Sequence, residues 1–234
     1  METERTIVII PSYNEEKNIP KVIEGIKNSI SKADIAIIDD GSSDNTSLIA
    51  KSLGAEVIKL PFNMGYGVAL QTGYKYALEN NYDYIVQIDG DGQHDPRYIE
   101  DILRELKKEK VDLVIGSRFL ANKNQVPLFR RLVIQLFASI ASFLTGHKIT
   151  DPCSGLRVMN KKITRFLVKD IYPEDYPDAD LIIILHRAGL RIKEIPVRVY
   201  PNVQGKSMHS GLRPLYYVYK MFLSVLLTLF RRDY

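Results

Sequence analysis

The segment YIVQIDGDGQHDP, residues 84–96, joins an apolar run directly to a cluster of acidic residues. The run itself has the composition of a buried strand. Asp89, Asp91 and Asp95 follow it at once, separated by two glycines and a short polar stretch. Crowded carboxylates cost several kcal/mol unless a cation or hydrogen-bond donors compensate them. The segment therefore predicts a buried strand that ends at a site for a positively charged partner.

Length and composition define the class of protein. The chain has 234 residues, 45% of them hydrophobic, which is enough for a packed core. Its net charge of +4 is far below that of a nucleic-acid binder, so we expect no nucleic-acid partner. One cysteine rules out an internal disulfide, and no apolar signal segment precedes Thr6. We expect a chain that faces the cytoplasm.

Short apolar runs alternate with amphipathic ones through the first half of the chain. Five strand–helix steps follow one another, beginning with TIVIIP and ending with DLVIGSR. This pattern predicts an α/β fold with a mostly parallel sheet flanked by helices in three layers. We expect one domain over residues 1–213 and a separate C-terminal apolar helix over 214–234.

Polar loops follow four of the predicted strands: PSYNE, DDGSSD, GDGQHDP and GSR. In parallel sheets ligands bind beyond the carboxyl ends of the strands, where such loops meet. We therefore expect one rim to collect the following side chains: Asn14, Glu15, Asp39, Asp40, Asp44, Asp89, Asp91 and Arg118.

The acidic triplet after the fourth strand is the best candidate for a metal site. Asp89 and Asp91 can direct oxygens at one hard cation, and Mg²⁺ or Mn²⁺ held by one or two carboxylates commonly takes its remaining ligands from water and substrate phosphates. A solvated acidic turn is the alternative. His94 is expected at the surface rather than as a ligand.

The DDGSSDNT stretch offers a second acidic pair. Asp40 can accept from a base or a ribose, whereas Asp44 is expected to cap the next helix. The stretch NMGYGVALQTG contains Gly65-x-Gly67, but Leu70 stands where a dinucleotide fingerprint has its third glycine. A dinucleotide site and a P-loop are therefore not predicted.

Six segments in order carry a resemblance: VIIPSYNEEKNI, IIDDGSSDNT, NMGYGVALQTG, QIDGDGQHDP, VIGSRF and DPCSGLRVMNKK. Together they resemble the family 2 inverting glycosyltransferases of the GT-A fold, and within them the polyprenyl-phosphate and dolichyl-phosphate sugar synthases. The resemblance covers about residues 5 to 200. It implies a nucleotide-sugar donor, a divalent cation and a lipid-phosphate acceptor.

The resemblance also implies roles for individual residues. It implies a donor site that includes Pro11, Tyr13, Glu15, Ile38, Asp40 and Gly65. It implies a metal and diphosphate site formed by Asp89, Asp91 and Gln93. Arg118 is expected to contact phosphate, and Asp151 matches a family acid on the sugar or acceptor side.

Two family patterns are missing. The lipid-phosphate synthases often carry an R-x-x-G-x-S loop, where this chain has NVQGKS with Asn202 in place of the arginine. Lys206, His209 or Arg213 is expected to substitute. The Q-x-x-R-W motif of processive synthases is absent, and the chain contains no tryptophan, so polymer synthesis is not expected.

The need for a base depends on the acceptor. A hydroxyl must lose a proton, which a placed carboxylate accelerates by about 10²- to 10⁴-fold. A phosphate monoester, with a second pKa of about 6, is already largely ionised at pH 7. The candidate catalytic acids are Asp91 with the metal and, as bases, Asp178, Asp180 and Asp151. Helix capping by Asp180 and a structural role for Asp151 are the alternatives.

Two apolar segments, 128–144 and 215–230, have wide apolar faces with basic residues at one end. The second is shorter than the roughly 20 residues needed to span a bilayer. Both suit a lipid interface with anionic headgroups, and packing in the core or against a second copy is the alternative. We expect peripheral association with the cytoplasmic membrane face.

Three other functions are alternatives to this one. The same transfer could go to a hydroxyl of a cell-envelope glycan or of a soluble acceptor. A sugar nucleotidyltransferase would need a glycine-rich basic loop near the N-terminus, and PSYNEEKN is not one. A catalytically inactive nucleotide-binding module is disfavoured by the intact set of acids.

Overall fold

The computed structural model describes residues 4–121, 126–173, 175–200 and 213–231. These ranges contain one seven-stranded sheet. Its strands are β1 (Thr6–Ser12), β2 (Asp34–Asp39), β3 (Glu56–Lys59), β4 (Tyr84–Gln87), β5 (Leu113–Ser117), β6 (Arg157–Asn160) and β7 (Ile192–Pro196). Their order is β3-β2-β1-β4-β6-β5-β7.

Helices cover both faces of the sheet. They are α1 (Ile19–Ser29), α2 (Thr46–Ser52), α3 (Tyr66–Glu79), α4 (Ile99–Glu109), α5 (Arg118–Ala121), α6 (Leu128–Thr145), α7 (Lys161–Leu167), α8 (Ala179–Arg187) and α9 (Arg213–Phe230). The predicted three-layer α/β fold is confirmed.

The alternation of side chains along β1 explains the two cores. Ile7 and Ile9 face one side of the sheet and pack with α3 and the later helices, whereas Val8 and Ile10 face the other side and pack with α1, α2 and α4. All four side chains are buried because β1 lies inside the sheet and both of its faces are covered.

Strand β6 was not predicted, and it runs antiparallel to both of its neighbours, β4 and β5. An antiparallel strand starts where its parallel neighbours end. The segment 151–156, which enters β6, therefore lies at the same sheet edge as the loops that leave β1, β4 and β5. This reversal brings DPCSG to the candidate site.

The C-terminal helix α9 packs against α8, with Tyr217, Met221 and Val225 buried in the larger core. Among the described residues, α6 is the helix long and apolar enough to cross a bilayer by length and composition, and 28% of it is buried. Both helices also expose large apolar side chains, among them Phe143 at 87% and Phe230 at 76%. The division of the chain at residue 213 stays a prediction.

Candidate active site

The loops after β1 and β2 are tied together by hydrogen bonds. Asn14, which has a positive φ of 56°, accepts the Ser43 N–H at 2.9 Å, and its own N–H donates to the Ser42 hydroxyl at 2.9 Å. Asp44 was predicted to cap α2; it lies one residue before the N-cap Asn45 and accepts the Thr46 N–H of the first turn at 3.0 Å. Two of the four expected loops therefore form one rigid wall.

Asp40 anchors the loop that precedes α3. Its carboxylate accepts the Met64 N–H at 2.6 Å and the Gly65 N–H at 3.0 Å. Gly65 has a φ of +104°, which a side chain would strain. Contacts of Asp40 and Gly65 with a nucleoside stay predictions, and both residues shape the backbone at this position.

The other expected donor contacts lie at the ends of β1 and β2. Pro11 and Ile38 are buried in the strands, and Tyr13 is 48% exposed just beyond β1. Glu15 is partly buried, and burial raises its pKa. Tyr13 is thus the expected nucleoside contact with the most open side chain.

Asp89 is held by groups from two other elements. The Tyr66 hydroxyl, at the start of α3, donates to Asp89 Oδ1 at 2.8 Å and itself accepts the Gln87 side-chain N–H at 3.1 Å. Gly155, just before β6, lies so close that a Cβ built on it would stand 1.8 Å from Asp89 Oδ2. The carboxylate of Asp89 is therefore fixed in direction.

Asp91 shares this pocket of negative charge. Burial, and then the neighbouring Asp89, raises the pKa of Asp91 to about 7. Asp91 Oδ1 accepts the Gln93 N–H at 3.0 Å. The three predicted metal ligands thus lie on one short loop, in an environment where a cation would relieve the repulsion of the carboxylates.

The predicted ligands Asp89, Asp91 and Gln93 are of the kind that Mg²⁺ or Mn²⁺ prefers, and their role as ligands stays a prediction. No group of three or more His, Cys, Asp or Glu side chains suitable for a metal occurs among the described residues. Two carboxylates and an amide leave coordination positions open, which suits a hard cation that shares substrate phosphates.

His94 is buried, with 5% exposure, and the expectation of a surface position is wrong. The reason is a bridge between His94 and Val199, which lays the segment after β7 over the histidine. Its Nε2 lies 3.9 Å from Asp89 Oδ2, and its Nδ1 has no hydrogen-bond partner among the described residues. Burial lowers the pKa of His94 to about 4, so the ring is neutral at pH 7.

Arg118 and Asp151 are paired to each other. The guanidinium donates to both carboxylate oxygens at 2.7 and 2.6 Å, and both side chains are at most 4% exposed. The Asp151 N–H donates to Glu194 Oε1 at 2.8 Å. The predicted phosphate contact of Arg118 and catalytic role of Asp151 stay predictions, and the pair visibly joins β5 to the 151–155 loop.

Arg130 was not predicted as a site residue. It lies in the first turn of α6, and burial, followed by the nearby Arg118, lowers its pKa. The carboxylates of Asp91 and Asp89 raise the pKa of Arg130, so the guanidinium lies near the loop that carries these two acids. No hydrogen bond or ion pair of its side chain occurs within the described part of the chain.

Asp178 lies at the start of α8 with its side chain 15% exposed. It accepts the Tyr217 hydroxyl at 2.6 Å and lies 3.6 Å from Arg157. Burial raises its pKa. The carboxyl group of Asp178 is partly exposed to solvent and lies next to the 151–155 loop. Its role as a base stays a prediction.

Asp180 has no exposed surface. It lies inside the first turn of α8, whose N-cap position is Asp178, and its role as a base stays a prediction. Its Oδ1 accepts the N–H groups of Asp178 and Leu181 at 3.0 and 2.8 Å, and its Oδ2 accepts the Ser224 hydroxyl of α9. Burial raises its pKa to about 6. Asp180 thus joins the start of α8 to α9.

Two of the predicted substitutes for the missing loop arginine, Lys206 and His209, lie outside the described residues, as does the side chain of Arg213. Three residues escaped sequence reasoning: Tyr66, Arg130 and Arg157. Arg130 was visible only as a basic residue flanking an apolar helix. Nothing in the sequence pattern placed Tyr66 next to Asp89.

The sequence is similar to those of known glycosyltransferases. The family model described as Glycosyl transferase family 2 matches residues 7–167. The UDP-N-acetylglucosamine--dolichyl-phosphate N-acetylglucosaminyltransferase of Methanococcus voltae is 30% identical, covering 89% of this chain and 92% of that protein. The polyprenol monophosphomannose synthase of Mycolicibacterium smegmatis is also 30% identical, covering 89% and 82%.

Solved structures share the fold. The glucosyl-3-phosphoglycerate synthase of Mycobacterium tuberculosis, solved with Mn²⁺, UDP-glucose and phosphoglyceric acid, superposes with a TM-score of 0.73 at 19% identity. The match covers 98% of this chain and 81% of that one. At this identity the likeness establishes the GT-A architecture and nothing finer.

Proposed function

The chain belongs to glycosyl transferase family 2, and from that premise we propose that it moves a sugar from a nucleoside-diphosphate donor to the phosphate of a polyprenyl or dolichyl carrier, with inversion and with a divalent cation. The chain is a glycosyltransferase. Its donor, its acceptor and its cation are the proposal, and the two relatives named for lipid-phosphate acceptors support it.

Arg130 is the observation that carries the choice of acceptor. Arg130 is partly buried, and a guanidinium partly removed from water is costly unless an anion compensates it. Arg118, a nearby cation, is already neutralised by Asp151. A hydroxyl acceptor brings no charge to Arg130, whereas a phosphate monoester brings about −1.5 to −2 at pH 7. The arginine therefore favours a phosphate acceptor.

The donor is held at the neighbouring loops. Asp89, Asp91 and Gln93 would hold Mg²⁺ or Mn²⁺, which offsets the charge of the departing diphosphate. The related synthase from Mycobacterium tuberculosis was solved with Mn²⁺ and UDP-glucose, which supports a UDP-sugar and a divalent cation here. Tyr66 and Gly155 keep Asp89 in place for this task.

The residues of the chain then orient the two reactants. The anomeric carbon gains oxocarbenium character as the bond to the diphosphate stretches. The carrier phosphate, held by Arg130, attacks the opposite face of the sugar. An acceptor that is already ionised needs no base, so Asp91, Asp151, Asp178 and Asp180 need not remove a proton.

Transfer to a hydroxyl is the second candidate, and Asp178 favours it. Its carboxyl group has a raised pKa and limited exposure, as a general base requires. The solved synthase named above was crystallised with phosphoglyceric acid, a soluble compound. Product chemistry separates the two candidates, because a glycosyl phosphate on lipid is labile to mild acid and a glycoside is stable.

The decisive experiment incubates the protein with labelled UDP- or GDP-sugars, Mn²⁺ and a polyprenyl phosphate in detergent. The expected product is an organic-soluble, acid-labile glycosyl phosphate that is absent in EDTA and in Asp91→Asn. Transfer that requires no lipid phosphate, or a product that survives mild acid, would refute the proposed acceptor.

Peripheral membrane binding is part of the proposal. Leu226 and Leu227 on α9 are 50% and 54% exposed, and Arg231 follows them. Deleting α9 would open the core, since Met221 is 1% exposed, so surface substitution is the cleaner test. We expect Leu226→Ser with Leu227→Ser to reduce flotation with anionic liposomes, and unchanged flotation would contradict a role of α9 in membrane binding.

A further inference from the structure

Tyr217 connects the apolar helix α9 to the candidate active site. Its hydroxyl donates to Asp178 Oδ2 at 2.6 Å and lies 3.2 Å from Cys153 Sγ. The ring packs edge-on against Phe137 of α6 and Tyr176, with centroids 6.1 and 5.0 Å apart. A short hydrogen bond to a carboxylate is among the stronger kinds, and here the surrounding rings fix its direction.

Asp178 in turn lies close to Arg157. The guanidinium lies 3.6 Å from Asp178 and is buried. It donates to the carbonyl oxygens of Pro177, Pro152 and Ser154 at 2.9, 2.7 and 2.9 Å. One buried arginine therefore joins the start of α8 to the 151–155 loop, and Asp178 is its carboxylate partner.

We propose that α9 is a working part of the active site, with Tyr217 as a positioning residue that orients Asp178 and, through Arg157, the 151–155 loop. This inference rests on the proposed function. The helix thus does more than present an apolar surface, because a hydroxyl on its buried side aligns the carboxylate next to the reaction. Transfer should depend on that hydroxyl even when α9 stays docked.

The charged and titratable groups that face Asp178 come from five parts of the chain. They are Arg157 of β6, Tyr217 of α9, Cys153 of the 151–155 loop, Arg118 of α5 and Asp180 of α8. Burial raises the pKa of Asp178, whereas Arg157 and the Tyr217 hydroxyl lower it. Removing the hydroxyl should therefore raise the pKa of Asp178 further. Because the ionised carboxylate is the partner of Arg157, which holds the 151–155 loop, the acid limb of the rate profile should move to higher pH without Asp178 acting as a base.

The test compares Tyr217→Phe with Tyr219→Phe, which alters a 63% exposed tyrosine on the same helix. We expect kcat for transfer to fall about tenfold in Tyr217→Phe, as loss of a hydrogen bond to a charged group implies, with the donor KM unchanged. The acid limb should shift only in this variant. Equal kcat and pH profiles in the two variants would overturn the inference.

A thiol reaction confirms that the helix stays docked. Cys153 is the single cysteine, partly buried beside Tyr217, and burial raises its thiol pKa. Loss of the hydroxyl alone should slow maleimide labelling, because the hydrogen bond of Tyr217 lowers the thiol pKa, whereas undocking of α9 would expose Cys153 and speed the labelling. In an Asp178→Asn background, Tyr217→Phe should then cost less than about twofold. A full tenfold cost there would overturn action through Asp178.

One readout keeps this inference separate from the proposed function. The titration of the Asp178 carboxyl, followed by NMR in Tyr217→Phe and wild type, needs no turnover. If the wild type transfers no sugar, the proposed function fails while an upward shift still supports the link. If the wild type transfers sugar but neither titration nor kcat responds to Tyr217→Phe, the inference alone fails.

Discussion

Replacing Gly155 by alanine should weaken the binding of the cation and of the nucleotide that it helps to hold, while the fold is kept. A Cβ at this position would stand 1.8 Å from Asp89 Oδ2, and ordinary contact begins at 3.4 Å. The Asp89 carboxylate must therefore move by about 1.6 Å, or the 151–155 loop must retreat by as much. Bonds from a cation to its ligands tolerate shifts of only about 0.2 Å, so Asp89 should be lost as a ligand.

The expected size of the effect is a 10- to 100-fold loss of cation-dependent affinity, as for other changes that misplace a metal ligand. This corresponds to about 1.4–2.8 kcal/mol. The assay is calorimetric titration of UDP or GDP, whichever the wild type binds, with and without Mn²⁺. Only the Mn²⁺-dependent part of the affinity should fall.

Gly116→Ala is the matched control. A Cβ there would meet Val197 methyl groups at 2.9 and 3.0 Å, far from any carboxylate. It should lower the free energy of unfolding by about 1–3 kcal/mol through overpacking and leave the Mn²⁺ dependence intact. Full Mn²⁺-dependent affinity in Gly155→Ala would refute the position of Asp89 as a ligand.

Three further changes test other parts of the site. Arg130→Ala should raise the KM for lipid phosphate about tenfold or more while Arg131→Ala changes it little, and equal effects in steady-state assays would contradict the phosphate contact. Tyr66→Phe removes a donor to Asp89 and leaves the Gln87 amide without its acceptor, so urea unfolding should show a loss of about 1–3 kcal/mol together with weaker Mn²⁺-dependent nucleotide binding. Asp180 has a pKa raised from 3.8 to about 6, so the folded state holds its proton more tightly and about 2 kcal/mol of stability is lost as pH rises from 4 to 6. Urea unfolding of Asp180→Asn should lack this loss, and parallel pH profiles of the two proteins would contradict it.

The sequence contained the parallel half of the fold and its acidic loop. Apolar runs bounded by polar loops indicated β1, β2, β4 and β5. Because ligands bind beyond the carboxyl ends of parallel strands, Asp89 and Asp91 could then be placed at that edge of the sheet. The four residues of β6 were missed because a short apolar run inside a loop-like stretch carries no period. Its antiparallel direction depends on pairing partners far away in the chain.

Side-chain partners could not be predicted from the sequence. His94 looked like a polar loop residue, and only the bridge to Val199, 105 residues later, buries it. Arg118 and Asp151 looked like separate ligand contacts, yet they form a bidentate pair although they are 33 positions apart in the chain. Such contacts join residues that are far apart in the chain and depend on how the whole chain folds. The residue pattern of a single sequence does not indicate them.

The residues at the N-terminal end of α6 have a consequence for the proposed lipid-phosphate carrier. Arg130 sits in the first turn of this helix, next to Leu128 and Phe129, which expose 62% and 56% of their surface. A phosphate bound at Arg130, as proposed, would lie within one helical turn, about 5.4 Å of rise, of these two apolar side chains. Pulling an isoprenoid into water would cost about 0.8 kcal/mol for each CH₂ group. With α6 on a bilayer surface, as the proposal has it, only the headgroup would have to rise, and the long tail would stay in hydrocarbon throughout the reaction.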